Sequence, residues 1–130
     1  MIRLVIICSM LALLTGCYNP GVQNKYTKEH VIVITDSEFK PQVITINKGD
    51  TVTWLNQGAN SRTSTSWRSW IDETYTEYNL VGELWDSGDI SPGNSFSLVF
   101  TDSGEYDYIS LPLFHWESFV IGLKGTVKVE

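Results

Sequence analysis

The stretch Ile44-Thr45-Ile46-Asn47-Lys48-Gly49-Asp50-Thr51-Val52-Thr53-Trp54 decides the fold. In Thr51-Val52-Thr53-Trp54 the apolar pair and the two threonines point to opposite sides of an extended chain, so one face of the strand is buried. Lys48-Gly49-Asp50 precedes it as a turn, with glycine supplying the backbone freedom a reversal needs. The same period of two recurs in Ser95-Phe96-Ser97-Leu98 and in Thr126-Val127-Lys128-Val129. Further reversals fall at Ser91-Pro92-Gly93-Asn94 and Asp102-Ser103-Gly104. Val31–Ile34 is apolar without alternation, as expected of a strand covered on both sides or pairing at the start of a sheet. From His30 onward, short strands at these intervals predict an all-β sandwich, antiparallel or mixed.

Upstream of this region the chain reads differently. Arg3 precedes an apolar run, Leu4–Leu14, that holds no carboxylate and no proline. A stable membrane-spanning helix needs roughly 20 apolar residues, so the run is too short to cross and reads instead as the core of a signal peptide. Leu14-Thr15-Gly16-Cys17 resembles the lipobox of bacterial lipoproteins, in which cysteine is alkylated by diacylglycerol, the peptide is cut before it, and the new amine is acylated. The resemblance implies a signal peptide over 1–16 and a lipid anchor on Cys17, several acyl chains together holding where one would not. Residues 17–29 are polar, include Pro20 and Gly21, and suit a flexible tether. The expected location is the cell envelope, on a bacterial membrane facing the periplasm or the exterior.

Removing residues 1–16 from 130 leaves 114, the size of one compact domain over 30–130 behind its tether. The excised segment carries one of the nine basic residues and none of the fifteen acidic ones, leaving eight against fifteen, a balance of −7. Such a surface repels phosphate backbones, which excludes nucleic acid as a natural partner.

Several motifs in order carry a family resemblance. Phe39-x-Pro41 followed by Ile44 through Trp54-x-Asn56 resembles the first half of a plastocyanin or amicyanin-type cupredoxin. Asp86-Ser87-Gly88, Pro92-Gly93-x-Ser95-Phe96-Ser97-x-x-Phe100, Gly104-Glu105-Tyr106-Asp107-Tyr108 and Lys124-Gly125-Thr126-Val127 resemble the later strands. The similarity runs from Val31 to Glu130, with an insertion at about 67–85. It implies a Greek-key β-sandwich, and by itself it implies an electron carrier whose copper is held by a cysteine thiolate, two histidines and a weak axial methionine.

Position by position, the residues depart from that ligand set. The segment that opens with the family's first histidine reads Arg62-Thr63-Ser64-Thr65-Ser66 here. The cysteine-x-proline-histidine segment reads Ser110-Leu111-Pro112-Leu113, and the methionine position before Lys124-Gly125 is Leu123. Arginine offers only donors and stays charged. Composition bears on the question in any register: the two cysteines are Cys8 and Cys17, and the two methionines are Met1 and Met10. After cleavage the sole sulfur is the lipidated one, so neither a thiolate copper site nor a disulfide is expected. In the vacated site Leu113 and Leu123 would fill space and Ser110 would bond locally. Arg62 would either face solvent or pair with Glu117 or Asp86.

No cofactor is therefore expected. His115, with Glu117, makes at best a weak adventitious metal site, and His30 stands apart at the tether boundary. In the insertion, Trp67, Trp70, Ile71, Tyr75 and Tyr78 recur at spacings near three or four, with Asp72, Glu73 and Glu77 between them, a pattern that suits a short amphipathic helix laid on the sandwich. Its aromatic residues either pack on the sheet or, with Trp67, Trp70, Trp85, His115 and Trp116 together, form a surface for an envelope protein or a small ligand. No nucleophile elbow, phosphate loop or paired-carboxylate arrangement suggests an enzyme. Two readings remain at this level: a copper-free binding or structural module, and a plastocyanin-type electron carrier.

Overall fold

A computed structural model describes residues 26–71, 73–111 and 123–130, which form nine strands in two sheets. The first sheet has the order β2-β1-β4-β7, from β1 (Glu29–Ile34), β2 (Phe39–Lys40), β4 (Thr51–Asn56) and β7 (Ser95–Val99). The second has the order β3-β9-β8-β5-β6, from β3 (Val43–Ile46), β5 (Thr65–Ile71), β6 (Glu77–Asp86), β8 (Gly104–Ser110) and β9 (Leu123–Val129). β1 runs parallel to β4 and β3 parallel to β9, while the remaining pairs are antiparallel. The sandwich is thus mixed, with the period of two placing one face of each strand between the sheets.

That pattern locates the core. Val52 and Trp54 are fully buried, whereas their neighbours Thr51 and Thr53 turn to the other face, where Thr53 Oγ1 donates to Glu29 Oε1 at 2.7 Å. On β9, Val127 and Val129 are buried and Lys128 is exposed. Trp54 is the hub of an aromatic cluster, its ring centroid 5.3 Å from Tyr108, 5.9 Å from Phe96 and 6.0 Å from Trp85. Edge-on and offset contacts of this kind add to the apolar area each ring removes from water.

Two sequence expectations are corrected here. β1 is covered on one side only: Ile32 and Ile34 have no exposed surface, while Val31 is 49% exposed. An all-apolar run therefore stood for an alternating strand whose outward valine merely lacks a polar label. The helix expected within 67–85 is absent, and among the described residues no helix forms. Its residues belong to β5 and β6, an antiparallel hairpin that pairs Trp67 with Val81, Arg68 with Leu80 and Trp70 with Tyr78. In a strand, residues 67 and 70 point to opposite faces, so the aromatic spacing that suited a helix makes no common stripe. The hairpin turn contains Tyr75 at φ 59°, a left-handed backbone achieved without glycine, which concealed the reversal.

Candidate functional site

At one end of the sandwich a buried polar network joins the start of β5, the end of β8 and the loop after β4. Asn56 fixes that loop from within: its Nδ2 donates to the carbonyls of Asn60 and Ile90, both at 2.8 Å, and its Oδ1 accepts from Gly58 N. Arg62 and Ile90 exchange backbone hydrogen bonds at 3.1 and 2.7 Å. Thr63 Oγ1 accepts from Leu111 N at 3.0 Å and from Thr65 Oγ1 at 2.9 Å. Asn56, Thr63, Ser64, Thr65, Ser66 and Ser110 are all buried, and satisfying so many polar groups internally holds the chain in a single arrangement.

Within this network the structure brings together Arg62, Ser110 and Leu123. Ser110 is cross-strand partner to Leu123, and its Oγ accepts the Thr63 N–H, next in sequence to Arg62, at 3.0 Å. Ser110 and Leu123 are 1% and 5% exposed. The Ser110 bond is not local, since its partner lies 47 positions away. Of the arrangements expected for Arg62, the pairing with Asp86 is not formed: in an exposed hydrogen bond its Nη2 donates to the backbone carbonyl of Asp36 at 2.7 Å, and Glu117 lies outside the described residues. Its Nε is buried without a partner among the described residues. Asp36 is itself a local anchor, accepting from Ala59 N, Asn60 N and Asn60 Nδ2. Chiefly through the Ala59 N–H, these donors hold its carboxyl below the usual range.

As a donor set for copper these three residues do not fit. A guanidinium offers no lone pair, an isobutyl group has none, and the one hydroxyl is already engaged by a backbone N–H. Among the described residues, no group of three His, Cys, Asp or Glu side chains gathers. Cys17, Leu113, His115, Trp116 and Glu117 lie outside the described residues.

The aromatic surface expected from the sequence divides. Trp85 is core, 7% exposed, with its indole N–H on Ser64 Oγ at 3.1 Å, which corrects its assignment to a binding face. Trp70 is 41% exposed, with the Arg68 guanidinium 5.9 Å from its ring centre. Trp67 is half-buried, donating to Asn79 Oδ1 at 3.3 Å, with Lys124 Nζ 4.4 Å from its ring centre. Such cation–π contacts favour a fixed ring.

Sequence reasoning missed a second buried polar centre. Asp50, 2% exposed, accepts from Lys28 N and His30 Nε2, each at 2.9 Å, and from Asn47 N at 3.1 Å. The histidine set apart at the tether boundary is thus tied into the sandwich, and only its spacing from the Lys48-Gly49-Asp50 turn could have hinted at it. Also missed was a cleft of about 470 Å³ beside β5, whose lining includes Trp67, Arg68, Glu83, Glu105 and Asp107.

A family model for copper binding proteins of the plastocyanin/azurin family matches residues 27–130. The chain is similar to the plastocyanin of Scenedesmus fuscus, 31% identical over 94 residues, which cover 71% of this chain and 86% of that protein. Among solved structures it resembles a novel purple cupredoxin from Nitrosopumilus maritimus with a TM-score of 0.56 at 25% identity, covering 77% of this chain and 98% of that one. An amicyanin mutant in its Cu(I) form gives 0.56 at 25% identity, with 78% of this chain and 82% of that one covered.

Proposed function

The chain belongs to the plastocyanin/azurin family of copper-binding proteins, and from that premise we propose that it keeps the family sandwich without a thiolate copper centre and acts as an envelope-anchored binding or structural module. The observation that carries this reading is the pairing of Ser110 with Leu123 beneath the Thr63 N–H: where the resemblance calls for a thiolate and a thioether, there stand an engaged hydroxyl and an aliphatic group. Composition supports it, since the sequence holds no cysteine and no methionine after Cys17. The lipobox-like Leu14-Thr15-Gly16-Cys17 supports anchorage to a bacterial membrane through lipid on Cys17.

The visible spectrum of the purified protein after addition of Cu(II) tests the central claim. No intense thiolate-to-copper band is expected, and a blue or purple chromophore overturns the reading in favour of electron transfer. Mass analysis of the N-terminal peptide tests the anchor, with diacylglyceryl and acyl additions on Cys17 expected and an unmodified Cys17 sinking it.

A further inference from the structure

β5 meets β8 over two residue pairs only, Thr65 with Ile109 and Ser66 with Tyr108. Continuing that register would set Trp67 against Asp107 and Arg68 against Tyr106. Instead β5 keeps its ladder to β6 and β8 keeps its ladder to β9, and past Ser66 the two strands part. The base of the hairpin is held by Ser66 Oγ, which accepts from Leu84 N and Trp85 N at 3.0 and 3.2 Å, and by the buried Trp85 ring. Beyond that point the hairpin stands away from the sheet, and the cleft of about 470 Å³ opens between the two strands.

The walls of this cleft are unusual for a ligand pocket. Each is a strand edge whose neighbour in the sheet has moved off, leaving Trp67–Ser69 and Glu105–Asp107 with no ladder between them among the described residues. Strand edges of this kind accept a further strand, main chain to main chain. The lining also carries a charge bias, Glu83, Glu105 and Asp107 against Arg68, offset in part by Lys128 4.0 Å from Glu105 and Lys124 over the Trp67 ring, on a chain of net charge −6. Leu80 and Leu84 supply apolar surface beside the carboxylates, and Leu84 is 65% exposed. Charge complementarity selects cationic side chains, and the pleat of a strand alternates them with apolar ones.

We infer that this cleft receives an extended polypeptide segment of a partner protein, with alternating cationic and apolar side chains, as an added strand between β5 and β8. The inference rests on the reading that the protein works by binding, and it names where and what.

The test is amide hydrogen exchange on the purified protein with a capped hexapeptide of alternating lysine and valine. With peptide at ten times its Kd, exchange slows roughly tenfold at those amides of Trp67–Ser69 and Glu105–Asp107 whose N–H points into the cleft rather than to β6 or β9. The same peptide N-methylated at its valines, the glutamate–valine peptide and spermidine leave those amides unchanged. E83K weakens lysine–valine binding about three- to tenfold. Protection by spermidine or by the N-methylated peptide overturns the strand-addition geometry, and failure of the lysine–valine peptide to protect these amides overturns the site. A copper titration on the same sample reports separately on the parent reading, so a silent peptide with a silent copper spectrum removes the cleft and leaves the copper-free module standing.

Discussion

The backbone N–H of Thr63 donates to the hydroxyl of Ser110 at 3.0 Å, joining the segment before β5 to the end of β8 at a point where both residues are buried. With the reciprocal bond from Leu111 N to Thr63 Oγ1, it ties together the end of the sandwich at which Leu123 also lies.

Removing the acceptor has a cost set by the buried donor it leaves behind. Ser110→Ala is expected to destabilise the fold by about 1–3 kcal/mol, read from the urea midpoint at constant slope. Ser110→Cys restores an acceptor, weaker and larger, and falls between the two. Ser110→Cys alone is not expected to yield a blue copper protein, because Arg62 and Leu123 still offer no lone pair. A coloured site in that single variant would mean that other residues supply the ligands.

Acid sensitivity follows from Asp50. The Lys28 N–H first, then the His30 side chain and the Asn47 N–H, pull its carboxyl down to about 2 from an ordinary value of 3.8. A carboxylate with a depressed folded pKa contributes stability that is present above the unfolded value and lost as pH falls through the folded one. The Asp50 contribution is therefore complete above about pH 4 and disappears between pH 3.8 and about 2. Urea midpoints measured from pH 7 to 2 should show the decline, with Asp50→Asn starting lower at pH 7 and falling less. The residual slope belongs in part to Asp36, whose carboxyl is also held low. Parallel curves for the two proteins would dismiss the assignment.

Much of the fold was legible because period two and turn chemistry are local. Ser95–Leu98 and Thr126–Val129 alternate in burial as they do in the sequence, while in Thr51–Trp54 Thr53 is buried too, its hydroxyl bonded to Glu29 and Ser97 on the face away from Val52 and Trp54. The hairpin was not legible, for two reasons. Trp67, Trp70 and Ile71 fit a 3.6-residue repeat as well as they fit a strand, and the reversal at Tyr75 lacks glycine, proline or asparagine. Ser110 and Leu123 are cross-strand partners, and Arg62 is joined to them only through the backbone of its neighbour Thr63. The partner of Arg62 was out of reach of sequence reasoning because it is a backbone carbonyl, and every residue has one. The cleft was equally hidden: it exists because two strands stop pairing after Ser66, a fact about register that no side-chain pattern records.

The closest packing in the core yields the last prediction. Gly125 is the cross-strand partner of Tyr108 on β8, and a Cβ built there would overlap the Cζ, Cε2 and hydroxyl of that ring. Tyr108 cannot easily give way, since it has no exposed surface and its ring packs against Trp54 and against Phe39 at a centroid distance of 4.7 Å. Gly125→Ala is expected to cost about 1–3 kcal/mol by overpacking. The hydroxyl itself contributes little in return: Tyr108 OH and its neighbour Trp54 Nε1 lie outside hydrogen-bond geometry, and neither has another partner among the described residues. Tyr108→Phe should therefore be neutral or slightly stabilising at pH 7. It should also remove an alkaline liability. Burial pushes the phenol up to about 12 from 10.0, so its neutral form stabilises the fold below pH 10.0 and that contribution is lost as pH rises toward about 12. In the double variant, dropping the hydroxyl relieves one overlap but not those with Cζ and Cε2, so Tyr108→Phe should recover part of the Gly125→Ala loss. Thermal melts of the four proteins at pH 7 and pH 11 decide it: strict additivity would show that Gly125 is small for a reason other than Tyr108.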